Sequence, residues 1–181
     1  MKFEIKHRFS AEILFASKGQ SLKLVVEAAV ESGANLSGAN LSRANLSGAD
    51  LSGAYLSGAT GINPNLCTPL LILAEQPGKI RAYKLVNQES EGPFSGGIKY
   101  KIGKSYTVTD ADGDVSKQCA AGINLATLDW CMKTWKSGFK ILIAEFTAKD
   151  IAAIPTATDG KFRVHRCKIV GEKDLKDIGL I

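Results

Sequence analysis

A chain of 181 residues with a hydrophobic fraction of 45% and a formal net charge of +5 has room for one to two domains with cores of their own. It contains no apolar run of the ~18 residues that a membrane-spanning helix needs. Its first residues, MKFEIKHRF, lack the apolar stretch of a secretory signal, so a cytoplasmic protein with no membrane partner is expected.

Taken in chain order, KFEIKHRF (2–9) and AEILFAS (11–17) read as a short β-hairpin. Ser21 then stands where a helix would be capped, and Gly33 where it would end. Between them Lys23, Glu27 and Glu31 form one polar stripe and the remainder is apolar, which predicts a helix buried on most sides.

From Ala34 to Gly58 one five-residue phrase recurs five times: ANLSG, ANLSR, ANLSG, ADLSG, AYLSG. A period of five matches neither the 3.6 of a helix nor the 2 of a strand. Held without slippage, it predicts a solenoid in which each repeat turns one corner. Ala and Leu then stack inward while Asn, Asp and Ser face outward. These Ala-x-Leu-x-x units resemble pentapeptide-repeat proteins. The resemblance implies a right-handed, quadrilateral β-helix with one pentapeptide to each side. So short a solenoid needs caps, which the helix supplies at one end. Leu66 and Leu70–Leu73 are expected to close the other. Residues 1–75 thus read as one module of hairpin, capping helix and β-helix.

PGKI (77–80) marks a boundary, and 80–181 reads as an α+β domain with a mostly antiparallel sheet. Its predicted elements are a strand over 81–86, a glycine-rich turn region over 89–97 and a strand or hairpin over 98–108 around Gly103. They continue with a turn at DADGD (110–114), a helix over 127–135, and strands over 139–146 and 161–170. The acidic spacing of DADGD resembles a calcium loop, but Gly113 is misplaced and Ala121 stands where the closing Glu belongs. Trp130 and Trp135 read as core anchors.

Cysteines 67, 119, 131 and 167 include no CxxC pair, which predicts reduced thiols. A zinc site from Cys119, Cys131, Cys167 and His165 would lack the usual ligand spacing, and no metal is assigned. There is no GxxxxGK, no HExxH and no serine nucleophile elbow, so no cofactor is expected.

Charge bears on partners. Pentapeptide-repeat proteins that mimic duplex DNA depend on a strongly acidic surface. Residues 34–58 carry one Asp50 and one Arg43 and are neutral, so DNA mimicry is not expected. From residue 81 onward 16 Lys/Arg stand against 12 Asp/Glu. A weakly basic surface suits an acidic or phosphate-bearing partner, although no dense basic stripe with interleaved aromatics marks a nucleic-acid site.

The segment Cys119 to Ala126, running into a helix at Thr127, resembles the second motif of ADP-ribosyltransferase-like domains, with Lys161-Phe-Arg163 as a downstream basic stretch. That likeness implies a ligand site of Tyr83, Lys84, Gly122, Asn124, Lys161, Arg163 and His165, with the last three on one basic sheet face. Asn124 replaces the aromatic or His that would grip the nicotinamide side, and strand 81–86 has neither His nor Arg at its middle. Glu145 is a strand residue read as facing solvent. Without a poised carboxylate to stabilise a cationic sugar, glycosidic cleavage loses its main electrostatic help. The expectation is therefore a non-catalytic binding protein that resembles bacteriophage accessory factors and acts on a host component in the host cytoplasm. The β-helix would serve as its interaction or homo-oligomerisation platform. The alternative is a nucleotide-binding, ADP-ribosyltransferase-like domain that sequesters or processes an NAD-derived ligand.

Overall fold

A computed structural model describes residues 1–42, 44–93 and 97–181. Arg43 of the second repeat and residues 94–96 of the glycine-rich turn region lie outside the described residues. The chain divides into two compact units. One is Met1–Leu71 with Asp114–Cys119 and Pro155–Asp159; the other is Ile72–Gly113 with Ala120–Ile154 and Gly160–Ile181. Two short segments from the second half of the sequence thus belong to the first unit.

In the first unit, β1 (Lys2–Lys6) and β2 (Ile13–Lys18) pair antiparallel. Helix α1 (Leu22–Glu31) starts where the Ser21 hydroxyl accepts the Leu24 N–H at 3.3 Å. It ends at Gly33, whose φ of 71° few other residues tolerate. Val25, Val26 and Ala29 are buried, but Leu24 is 49% exposed. The helix is enclosed on one face only, because its apolar run is wider than the surface it covers.

The repeats build their corners by a shared rule. The carbonyls of Leu36, Leu41, Leu46, Leu51 and Leu56 each accept the N–H of the alanine three residues on, at 2.9–3.0 Å. In four of the five that closes a tight turn through Ser-Gly, and Gly38, Gly48, Gly53 and Gly58 hold the positive φ that its third position requires. Before each of four turns an Asx side chain accepts a serine N–H two residues on: Asn35 from Ser37, Asn40 from Ser42, Asn45 from Ser47 and Asp50 from Ser52, at 2.9–3.2 Å. All five leucines are buried, as are Ala39, Ala49 and Ala54, while the Asx residues face out. Successive coils meet in parallel bridges, Asn35 with Tyr55 and Asn40 with Thr60, so one turn takes twenty residues.

The far end closes differently from the expectation. Leu66 is 48% and Ile72 59% exposed, whereas Ile62, Cys67 and buried Ala157 pack on the leucine core. The Gly53 N–H donates to the Ala157 carbonyl at 3.1 Å. Segment 155–159 supplies this cover, and its distance in sequence from the repeats hides it from local pattern.

The second unit is a seven-stranded sheet. Its strands are β3 (Lys79–Val86), β4 (Ser105–Thr107), β5 (Ile123–Ala126), β6 (Lys140–Thr147), β7 (Ile151–Ala153), β8 (Lys161–Val164) and β9 (Arg166–Glu172). Their order is β4-β9-β6-β3-β5-β8-β7, with antiparallel ladders throughout. Helix α2 (Leu128–Thr134) packs Cys131 against Leu85, Ala126 and Ile141, with Trp130, Trp135 and C-terminal Leu175, Ile178 and Leu180 around them. Alternation sends Ile80, Ala82 and Phe146 to the other face, where Phe146 meets Phe162 with ring centroids 5.5 Å apart.

Three expectations need correction. Residues 122–126 do not form a turn into the helix; Ile123–Ala126 is a strand paired to β8 along its length. Within 98–108 only Ser105–Thr107 is strand. The predicted strand 161–170 is broken at His165 into β8 and β9, which occupy places four apart in the sheet. One residue spans about 3.3 Å, whereas four strand spacings in a flat sheet amount to about 19 Å. The sheet must therefore curl strongly on itself. At the join the His165 N–H donates to the Asp150 carbonyl at 2.7 Å, and the His165 carbonyl accepts the Val108 N–H at 2.8 Å.

Candidate functional site

The seven residues proposed from sequence do not converge on one open surface. Asn124 and Arg163 are cross-strand neighbours, but Arg163 is completely buried and its Nε donates to the Asp112 carbonyl at 2.9 Å. The basic face expected of Lys161, Arg163 and His165 is not displayed. Lys161 sits 5.2 Å from the Trp130 ring centroid, and His165 lies beyond the end of β8 as the connector. Gly122 has a φ of 132°, and a side chain there would press on Ala111 Cβ at 3.1 Å. The positive φ and the neighbouring chain together demand glycine. The Asn124 side chain donates to the Ala120 and Gly122 carbonyls at 3.3 and 3.2 Å and so shapes its own approach.

Tyr83 and Lys84 point to opposite faces, as adjacent strand residues must. Tyr83 joins the cluster around α2. Lys84 is 6% exposed; its Nζ donates to the Asn124 carbonyl at 2.9 Å and lies 4.9 Å from the Tyr100 ring centroid. Burial pulls its pKa down to about 8. Burial also pushes the thiols of Cys131 and Cys167 up, to about 12 and about 11. The Lys84 charge pulls both the other way, but burial outweighs it, so the reactive thiolate is disfavoured. Among the described residues no group of three or more His, Cys, Asp or Glu could hold a metal ion.

A charged cleft that the sequence reading did not assemble lies on the sheet. It has a volume of about 200 Å³ and is lined by Lys79, Ser105, Glu145, Thr147, Asp150, Arg166 and Lys168, among others. Glu145 pairs with Lys79 at 2.8 Å and with Arg81 at 3.7 Å. The Lys79 hydrogen bond is the main cause of its lowered pKa. Asp150 accepts from the Thr147 N–H and hydroxyl at 2.8 and 2.7 Å and pairs with Arg166 at 3.0 Å. Burial alone would raise its pKa, but the Thr147 hydrogen bonds and the Arg166 charge outweigh it and the net shift is downward. No local spacing announces this site, because its residues come from four strands and a 3-10 turn.

A second cleft lies within the first unit, with a volume of about 390 Å³, bounded by Ala54–Ser57 and by Ser116–Cys119. Tyr55, 65% exposed, occupies the corner position where the preceding four repeats have Asn or Asp.

Stacked five-residue corners, inward leucines and parallel bridges at twenty-residue spacing define a short repeat solenoid. A family model described as Pentapeptide repeats (8 copies) matches residues 32–60. Over that stretch the chain carries pentapeptide repeats, and such repeats imply a β-helix. No curated protein and no solved structure matches the chain. No helix among the described residues is long and apolar enough to cross a membrane.

Proposed function

We propose that the chain is a non-catalytic binding protein whose repeats, wound as a right-handed, four-sided β-helix, form a rigid platform for a partner protein. Tyr55 carries this reading. An exposed tyrosine offers a large apolar body with a polar tip at low entropic cost and is enriched at the centres of interfaces. Here it replaces a residue type that caps the corner in four other repeats, and it borders a cleft large enough to seat a partner side chain. The role that fits is an accessory factor, of the kind bacteriophages encode, that holds or blocks a host component.

The nucleotide-processing alternative has less support. Glu145 is held between two cations, and the arginine that would grip phosphate is enclosed. Native mass spectrometry of protein purified from its source cells, as wild type and as Tyr55→Asn, tests the choice. A stoichiometric protein partner retained by the wild type and lost by the variant supports the platform. A retained nucleotide, or a partner held equally by both, overturns it.

A further inference from the structure

The charged cleft of the second unit has an order that a scatter of surface ion pairs would lack. Cross-strand register lines up Arg81, Glu145, Lys168 and Ser105, one from each of β3, β6, β9 and β4. Directly opposed residues share a face. The two carboxylates are the recessed members: Glu145 and Asp150 side chains are 14% and 10% exposed, while those of Lys79, Arg81 and Arg166 are 74%, 69% and 62% exposed. Acid thus forms the floor and base the rim.

Each carboxylate anchors a cation without exhausting its donors. Lys79 gives one of its three N–H groups to Glu145. Arg166 directs Nε and one terminal nitrogen to the same Asp150 oxygen, and its remaining terminal nitrogen keeps two donors. Lys79, Arg166 and Lys168 line the cleft against two carboxylates, so its lining carries an excess of one positive charge, with Arg81 beside it on Glu145. The donors come from separate strands instead of a single fork, which suits a tetrahedral oxyanion better than a planar carboxylate.

We propose that this cleft binds a phosphate group, free or as a small monoester, between Lys79, Arg166 and Lys168, with the Ser105 hydroxyl as a further donor. Glu145 and Asp150 act as positioning residues that hold Lys79 and Arg166 at the rim. The site is independent of the Tyr55 platform.

Titration of the full chain with inorganic phosphate and with glycerol 3-phosphate, at matched ionic strength against chloride and followed by calorimetry and amide chemical shifts, tests the assignment. Saturable binding with shifts at Ser105, Thr147 and Lys168 is expected. Lys168→Gln should weaken it about tenfold or more, whereas Lys136→Gln, an exposed lysine outside the cleft, should leave it unchanged. Equal affinity for both probes marks a monoester site, and preference for inorganic phosphate marks a free-phosphate site. No saturation at millimolar ligand, or equal weakening by both substitutions, overturns the proposal.

Discussion

Tyr55 pairs with Asn35 in a parallel bridge, and its carbonyl accepts the Leu36 N–H at 3.0 Å. The two residues hold the same corner one coil apart, yet only the asparagine can cap the serine two residues on. Tyr55→Asn should therefore stabilise the protein by about 0.5–1.5 kcal/mol, the net value of one added hydrogen bond. Thermal melting of the two proteins checks this. A destabilised variant would mean that the tyrosine serves packing and was not retained for recognition.

Leu46 is 4% exposed within the leucine core, whereas Ser47 faces out. Leu46→Ala should cost about 2–5 kcal/mol through lost contacts and a residual cavity. Ser47→Ala should cost little, since the group at that position that Lys23 Nζ contacts is the backbone carbonyl, at 2.9 Å. Denaturant unfolding separates the two, and similar losses would contradict the inward stacking.

Lys84 should make stability rise with pH in the alkaline range. Its pKa falls from 10.5 to about 8 in the folded protein, so between those values the unfolded chain binds more protons and raising the pH favours the fold. The full penalty, about 3 kcal/mol from about 1.4 kcal/mol per pKa unit, acts below pH 8. Cys131 and Cys167 oppose the trend above pH 9, because burial keeps their thiols protonated after those of the unfolded chain ionise. The stability difference between wild type and Lys84→Met isolates the lysine. It should shift in favour of wild type from pH 8 to 10.5, and a flat difference would contradict this.

Arg163 is expected to act on folding. Arg163→Ala removes a fully enclosed side chain and leaves the Asp112 carbonyl without its 2.9 Å donor. A loss of about 2–5 kcal/mol follows from the cavity and the unmet acceptor. Chemical denaturation measures it. A variant with wild-type stability but impaired nucleotide binding would restore the ligand role inferred from sequence.

The parts readable from sequence are those that depend on neighbours along the chain. Ala and Leu at a period of five specify the solenoid because each corner is closed by hydrogen bonds three or four residues long. Ser21 and Gly33 bound α1 for the same reason. Strand β5 escaped notice because Gly122 and Asn124 imitate a turn, while its strand character comes from β8, almost forty residues away. The break at His165 leaves no mark in the alternation of 161–170; it is imposed by the different partners of β8 and β9. The charged cleft was illegible in the same sense, although Glu145 and its partner Arg81 sit in strands that were themselves recognised and Lys79 stands just before the first of them. Arg163 misled most, since alternation with apolar residues indicates an outward face only where nothing else covers the sheet.

The two backbone hydrogen bonds at His165 bear on how readily the edges of this sheet could take up another strand. They reach Asp150, next to edge strand β7, and Val108, next to edge strand β4. Each edge strand has only three residues. Open sheet edges offer ready templates for another chain, and short or covered edges remove the template. With both margins short and fastened near one residue, the sheet presents little backbone for another copy to extend. Self-association, where it occurs, should therefore proceed through side-chain surfaces, leaving this sheet closed to growth by strand addition.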